Sequence, residues 1–185
     1  MKYHNAMNIF IVGGGEIGTS LAVQLAKDGY KLTLIDREGS IVDNMGNTAD
    51  VICYQGNGAS YATLKELNAS DADMFIAVTN SDELNILSCM TAHMMGAKHT
   101  IARVRDVDYA SQNRFYKDKL GLSMTINPEL ATALEVYRLL RFPLATRVEV
   151  FAGGRAELVE RSVTEGSTLS EKTLIEINQS MGINL

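Results

Sequence analysis

The sequence predicts a doubly wound α/β fold, a parallel sheet with helices on both faces. Three observations carry this. Short β-branched runs alternate with helical periodicity through the first two thirds of the chain. Those runs are apolar throughout, as strands buried on both faces are. A glycine-rich turn over 13–18 (GGGEIG) directly follows the first run and opens the first helical stretch. Such alternation implies right-handed βαβ units.

The elements follow in order. Residues 8–12 (NIFIV) read as a strand. Ile17, Leu21, Ala22, Leu25 and Ala26 then recur at helical spacing over 16–27, and Gly29 closes that helix. A second strand covers 31–35 (KLTLI), with a short helix over 40–45. The third, 51–54 (VICY), closes on Gln55, Gly56, Asn57 and Gly58, and a helix over 61–67 follows. The fourth strand is 74–79 (MFIAVT), with a helix over 82–95. The fifth is 100–104 (TIARV), with a helix over 109–120, and 123–126 is a short sixth strand. Asn127 as N-cap and Pro128 at the first helical position open a long helix to about Arg141, ahead of Pro143. Leu130, Leu134, Tyr137 and Leu140 form one stripe, with Ala133 and Val136 beside it. The stripe fits packing on its own sheet, and equally a crossover or dimer helix.

After Pro143 the pattern changes. Residues 147–151 and 156–163 alternate apolar and polar around Gly153 and Gly154, a β-hairpin pattern. A helix is expected over 169–177, and 181–185 reads as the beginning of another strand. A segment this short cannot bury a core of its own. The expected division is a first domain over 7–142, then a linker and truncated small α+β domain over 143–185. No second glycine fingerprint is present, so no internal repeat is expected.

The chain has 185 residues, 46% apolar and 21% charged, the composition of a globular protein. A net charge of -5 argues against a nucleic-acid partner, which calls for a basic face. Two cysteines, Cys53 and Cys89, fit a reducing compartment rather than a disulfide framework. The polar first six residues do not read as a signal peptide, and no run approaches the ~20 apolar residues of a membrane span. Any service to a membrane is therefore expected from the cytoplasmic side.

Gly13, Gly14, Gly15, Glu16, Ile17 and Gly18 fit G-x-G-x-x-G between a strand and a helix, the Rossmann-like context. Gly13 allows the turn, Gly15 lets a pyrophosphate approach, and Gly18 lets helix and strand pack closely. The helix N-terminus offers amides and partial positive charge. A purely structural glycine turn is the competing reading. Asp36 ends the second strand, about 20 residues on, where an acid reaches ribose hydroxyls; it could instead cap the next turn. Arg37 would favour a 2′-phosphate and Asp36 would repel it, so NAD(H) is preferred over NADP(H). Glu16 would sit poorly beside a γ-phosphate, which tilts the choice from ATP to a dinucleotide. Asn57, Thr79, Asn80 and Arg103 lie at other strand ends, which face the same crevice. Asn80 and Asp82 could equally cap a helix. Arg103, in an apolar strand, requires an anionic partner.

Cys89 and His93 share a helical face, and Cys53 and His99 are further metal-ligand types. No partners follow at zinc-like spacing, so no metal site is expected. Cys53 reads as core, and Met90, Met94 and Met95 as packing. There is no G-x-S-x-G or H-E-x-x-H, and no catalytic residue is assigned.

The glycine turn, Asp36, the run 55–58 (QGNG), 77–83 (AVTNSDE), 101–105 (IARVR) and 126–129 (INPE) together resemble the Trk/Ktr potassium-uptake regulatory proteins, TrkA branch. The resemblance is to their RCK (KTN) domain over 7–142, and the part from Val148 is similar to the start of the C-terminal RCK domain. It implies a Rossmann-like domain that binds NAD(H), in some members ATP or ADP. It implies dimers or higher rings below a membrane potassium transporter whose gate they control, peripheral at the inner face of the plasma membrane. The family's dinucleotide positions carry over to Gly13, Gly14, Gly15, Glu16, Ile17, Asp36, Thr79, Asn80 and Arg103. Glu16 stands where ATP-binding members tend to have Arg, and members often carry two tandem copies where this chain shows one. A regulatory nucleotide sensor, not an enzyme, is therefore expected. A small NAD-dependent oxidoreductase is the alternative, but the segment after Pro143 has no histidine to serve as acid or base. A redox-responsive DNA-binding repressor would need a basic helix-turn-helix, and none is visible.

Overall fold

The computed structural model describes residues 7–143, 145–152 and 155–181. They form two compact units that divide after Leu130.

The first unit begins with β1 (Asn8–Val12), α1 (Glu16–Lys27), β2 (Lys31–Asp36), α2 (Gly39–Thr48), β3 (Ile52–Gln55) and α3 (Tyr61–Glu66). A 3-10 turn at Ala69–Asp71 leads to β4 (Met74–Ala77), α4 (Asp82–Met95), β5 (His99–Arg103), α5 (Val107–Ala110), α6 (Asn113–Leu120) and β6 (Met124–Ile126). The six strands are all parallel in the order β3-β2-β1-β4-β5-β6. Successive side chains of a strand face opposite ways. Phe10 and Val12 of β1 enter a core with Phe75, Leu64 and Cys89, while Ile9 and Ile11 enter another with Leu34, Ile76 and Ala22. Both faces are therefore covered, and that is why the strands read as unbroken apolar runs. No helix among the described residues is long and apolar enough to cross a membrane.

Several boundaries differ from the sequence reading. The helix expected over 109–120 is two helices. Asp106 caps the first by accepting from the Asp108 amide at 2.7 Å. Ser111 and Gln112 side chains then both donate to the Asp108 carbonyl, at 2.7 and 3.2 Å. Side chains that compete for backbone groups in this way interrupt a helix. Conversely, α2 runs to Thr48, three residues past its expected end, with Asn47 and Thr48 side chains donating to carbonyls one turn back. The 3-10 turn follows Asn68 at φ 54° and is too short to show periodicity.

In the second unit, β7 (Ala145–Phe151) and β8 (Ala156–Arg161) pair antiparallel. The expected turn residues Gly153 and Gly154 lie outside the described residues. The helix expected over 169–177 lies instead at α8 (Leu174–Met181). Its start is set by a reciprocal cap: Glu176 accepts from the Thr173 amide at 2.8 Å, and the Glu176 amide donates to Thr173 Oγ1 at 3.3 Å. The strand expected from residue 181 meets the last residue of α8, and 182–185 lie outside the described residues. Helix α7 (Pro128–Arg141) joins the two units in sequence. It has no buried residue, and Leu130, Leu134, Tyr137 and Leu140 are all exposed.

Asp82 fastens α4 to the segment after β5. It is 6% exposed and accepts from the Arg105 and Asp106 amides at 2.7 and 2.8 Å, and from Arg105 Nε at 3.4 Å. Burial opposes its charge, but the two amides and the guanidinium outweigh burial and hold the carboxyl below its usual range. A lowered folded-state pKa stabilises above the unfolded value, about 3.9, and that stability is lost as pH falls through the folded value. Asp82→Asn should cost about 1–3 kcal/mol at neutral pH, and its stability should fall less steeply below about pH 4. Urea unfolding across pH measures both, and an acid limb identical to the parent's would contradict the assignment.

Candidate functional site

A cleft of about 480 Å³ opens at the carboxyl ends of β1, β2, β4 and β5. Between β1 and β4 the strand order reverses, and ligands of open α/β sheets bind outside such a switch point.

The turn from β1 into α1 forms one wall. Gly13 has φ +101°, and a Cβ there would lie 2.9 Å from the Thr79 amide nitrogen. A Cβ on Gly18 would lie 1.8 Å from the Gly13 carbonyl oxygen, so α1 sits directly against the turn. Gly15 differs from both, with nothing within 4 Å of its Cβ position. It lines the cleft with Glu16 and Ile17. No side chain caps α1, whereas Ser60, Ser81 and Asp106 cap α3, α4 and α5. The first amides of α1 thus remain open to an anion.

Asp36 forms the second wall. Its Oδ2 accepts from the Gly14 amide at 2.5 Å and its Oδ1 from the Glu38 amide at 2.8 Å. The acid therefore ties the glycine turn to the end of β2. An ionised carboxylate has about four acceptor sites, so each oxygen keeps capacity for a further donor. Arg37 and Glu38 also line the cleft.

Thr79, Asn80 and Arg103 form the third wall. Thr79 and Arg103 are set by Asn85 of α4, which is fully buried. Its Oδ1 accepts from the Thr79 amide and hydroxyl at 2.8 and 2.7 Å. Its Nδ2 donates to the carbonyls of Thr79 and Arg103 at 3.1 and 2.9 Å. One amide thereby joins the ends of β4 and β5. The anionic partner that Arg103 requires is Glu129, at the start of α7. Hydrogen bonding from Arg103 holds the Glu129 carboxyl below the usual carboxylate range, against a smaller effect of burial.

The expected site residues thus divide. Gly13, Gly15, Glu16, Ile17, Asp36, Thr79, Asn80 and Arg103 share one cleft. Gly14 acts through its amide on Asp36, and Gly18 through helix packing. Asn57 is not part of the lining; its Oδ1 accepts from the Ala59 amide within its own turn, at 3.2 Å. Helix α4 is capped by Ser81, which accepts from the Leu84 amide at 3.1 Å, so neither Asn80 nor Asp82 is its N-cap. Sequence reasoning missed Asn85 and Glu129. The signal for Asn85 was an amide on the core-facing side of a helix.

The metal-ligand types do not converge. The Cys89 thiol donates to the Ile101 carbonyl, and burial pushes its pKa up to about 12. The His93 ring packs where a Gly121 side chain would stand. Among the described residues no group of three His, Cys, Asp or Glu could hold a metal. Cys53 is half-buried against the core that contains Leu34.

Strand order and glycine turn define a Rossmann-type nucleotide fold with its cleft at the switch point. The chain belongs to the TrkA-N domain family, whose model matches residues 9–128. It is 35% identical over 171 residues to the Trk system potassium uptake protein TrkA homolog of Archaeoglobus fulgidus, covering 92% of this chain and 39% of that protein. It is 32% identical over 166 residues to the TrkA homolog of Methanothermobacter thermautotrophicus, covering 90% of this chain and 75% of that one. The chain therefore spans about two fifths of the first relative and three quarters of the second. Among solved structures it is similar to GsuK bound to ADP, with TM-score 0.60 and 25% identity over 74% of this chain and 34% of that chain.

The geometry separates two glycines that the fingerprint treats alike. Gly15→Val puts a poor capping residue at the start of α1 but meets no neighbour, and should cost about 1 kcal/mol. Gly18→Val should cost about 3 kcal/mol or more, because backbone atoms must move to admit it. Chemical denaturation of both variants decides this; equal losses would contradict the described packing.

Proposed function

We propose that this chain is the nucleotide-sensing part of a regulatory, gating subunit of a potassium uptake transporter. In this reading it binds NAD(H) in the cleft and couples nucleotide state to potassium transport. The observation that carries it is one cleft in which the open Gly15 backbone and the uncapped start of α1 stand opposite the Asp36 carboxylate. Gly13, Gly14, Gly15, Glu16, Ile17 and Gly18 form the pyrophosphate turn. Asp36 accepts from ribose hydroxyls, Thr79 and Asn80 supply further polar contacts, and Arg103 offers positive charge. ADP is the portion that NAD(H) shares with the ligand of the GsuK structure.

Selectivity follows from charge. Asp36 and Glu38 disfavour the 2′-phosphate of NADP(H) against the single attraction of Arg37. Glu16 disfavours a γ-phosphate, so ATP ranks below the dinucleotide. The relatives' names as Trk system potassium uptake proteins support sensing rather than hydride-transfer catalysis. The names of the relatives support a membrane potassium transporter as partner. The exposed apolar stripe on α7 supports assembly as a homodimer or higher ring. Net charge -5 supports a protein partner rather than nucleic acid. The expected location is the cytoplasm, peripheral at the inner face of the plasma membrane.

A ligand regulates only by binding two conformations with different affinity. NADH occupancy must therefore favour one arrangement of the assembly over another. Asp36→Ala removes a charge-assisted acceptor and should weaken NADH roughly tenfold to a hundredfold by titration calorimetry. Unchanged binding would remove Asp36 from the site. In cells, Gly15→Val should lower potassium uptake or abolish its nucleotide response. Steady NADH turnover with a carbonyl substrate, together with unaffected uptake, would overturn the sensor in favour of an oxidoreductase.

A further inference from the structure

The Arg103 guanidinium reaches the cleft from the end of β5 with its side chain 13% exposed. Its Nη1 donates to the Thr79 carbonyl at 3.3 Å, and its Nη2 pairs with Glu129 Oε1. Its Nε is buried and has no hydrogen-bond partner among the described residues. A guanidinium this far from water requires negative charge beside it. Glu129 supplies that charge, but its own side chain is 52% exposed. One carboxylate oxygen on one nitrogen leaves the donor fork half used, whereas an oxyanion can take two of its bonds in parallel. Each phosphate of a dinucleotide presents two free oxygens and one negative charge, and the pyrophosphate brings two such groups, so it can take the place of the single carboxylate on the same guanidinium.

Resting on the reading of the cleft as a nucleotide site, we propose that Glu129 is an internal counter-anion of that site. It occupies Arg103 until a ligand phosphate takes its place. It thereby sets both the affinity of the cleft and its bias against multiply charged phosphates.

Two consequences follow. Binding includes an exchange, because the phosphate must displace a carboxylate as well as form its own bonds. Glu16 and Asp36 line the same cleft, so the displaced charge does not leave an empty field. The penalty grows with ligand charge and falls more heavily on a triphosphate than on a dinucleotide. The exchange also removes a side-chain link at the start of α7. Another is Asn127, which accepts from the Leu130 amide at 2.9 Å and donates to the Arg105 carbonyl at 3.2 Å. The first turn of α7 is thus attached to the end of β5 by a pair that the ligand competes for.

The test compares the parent protein with Glu129→Gln by titration calorimetry, using NADH and ATP separately. Glutamine keeps the size and one acceptor oxygen of a half-exposed side chain, so the variant should fold, with melting lowered by the loss of the charge that pairs with Arg103. If Gln at this position prevents folding, Glu129→Ser replaces it in the same comparison. The expected result is an NADH Kd lowered roughly tenfold and an ATP Kd lowered by a larger factor. NADH binding to the parent with no gain in the variant would overturn this proposal and leave the cleft reading intact. A gain for ATP no larger than that for NADH would overturn the charge bias. Failure of both proteins to bind either nucleotide would overturn the cleft reading, and this proposal with it.

Discussion

Gly13 passes the backbone of Thr79 with no room for a β-carbon between them, and the cleft is arranged around that approach. It brings the turn after β1 against the end of β4, just where the strand order reverses. Gly18 lets α1 close onto the same turn, so the helix start faces the opening. Asp36 then draws Gly14 towards β2, and Asn85 fixes Thr79 and Arg103 from the other side. Each of these bonds needs its strand at the right height. That height comes from the parallel register, in which Val12 lies beside both Ile35 and Ala77. The register in turn is held by two cores, one on each face of the sheet.

The parts of this arrangement that depend on local chemistry were legible in the sequence. The bounds of β1, α1 and α4 follow from apolar periodicity that begins or ends at Gly15, Gly29, Ser81 and Gly96. The glycine turn and Asp36 were legible because their spacing has a mechanical reason. The break between α5 and α6 was not, since it depends on side chains of Ser111 and Gln112 turning back to one carbonyl. The start of α8 was missed although Thr173 and Glu176 carry the capping-box signature, because the apolar pattern begins earlier, at Leu169. Asn57 looked available at a strand end but spends its acceptor in its own turn. Asn85 acts on the cleft through residues 79 and 103, and Glu129 lines it paired with residue 103, and no spacing rule connects these positions.

Charge at the cleft is unusual for a place that would receive phosphate. Glu16, Asp36, Glu38 and Glu129 line it, against Arg37 and Arg103. Backbone amides, rather than side-chain cations, must then provide most of the attraction. Amides at a helix start act at short range and favour a ligand that fits closely over one that is merely more charged. An adenine dinucleotide has few phosphates and many hydroxyls, and suits such a balance better than a triphosphate does.

Native mass spectrometry of the protein in an equimolar mixture of NADH, NADPH and ATP tests this account most directly. The expected spectrum shows a predominant NADH adduct that disappears in Gly15→Val. A predominant NADPH or ATP adduct, or adducts that survive the glycine change, would contradict it.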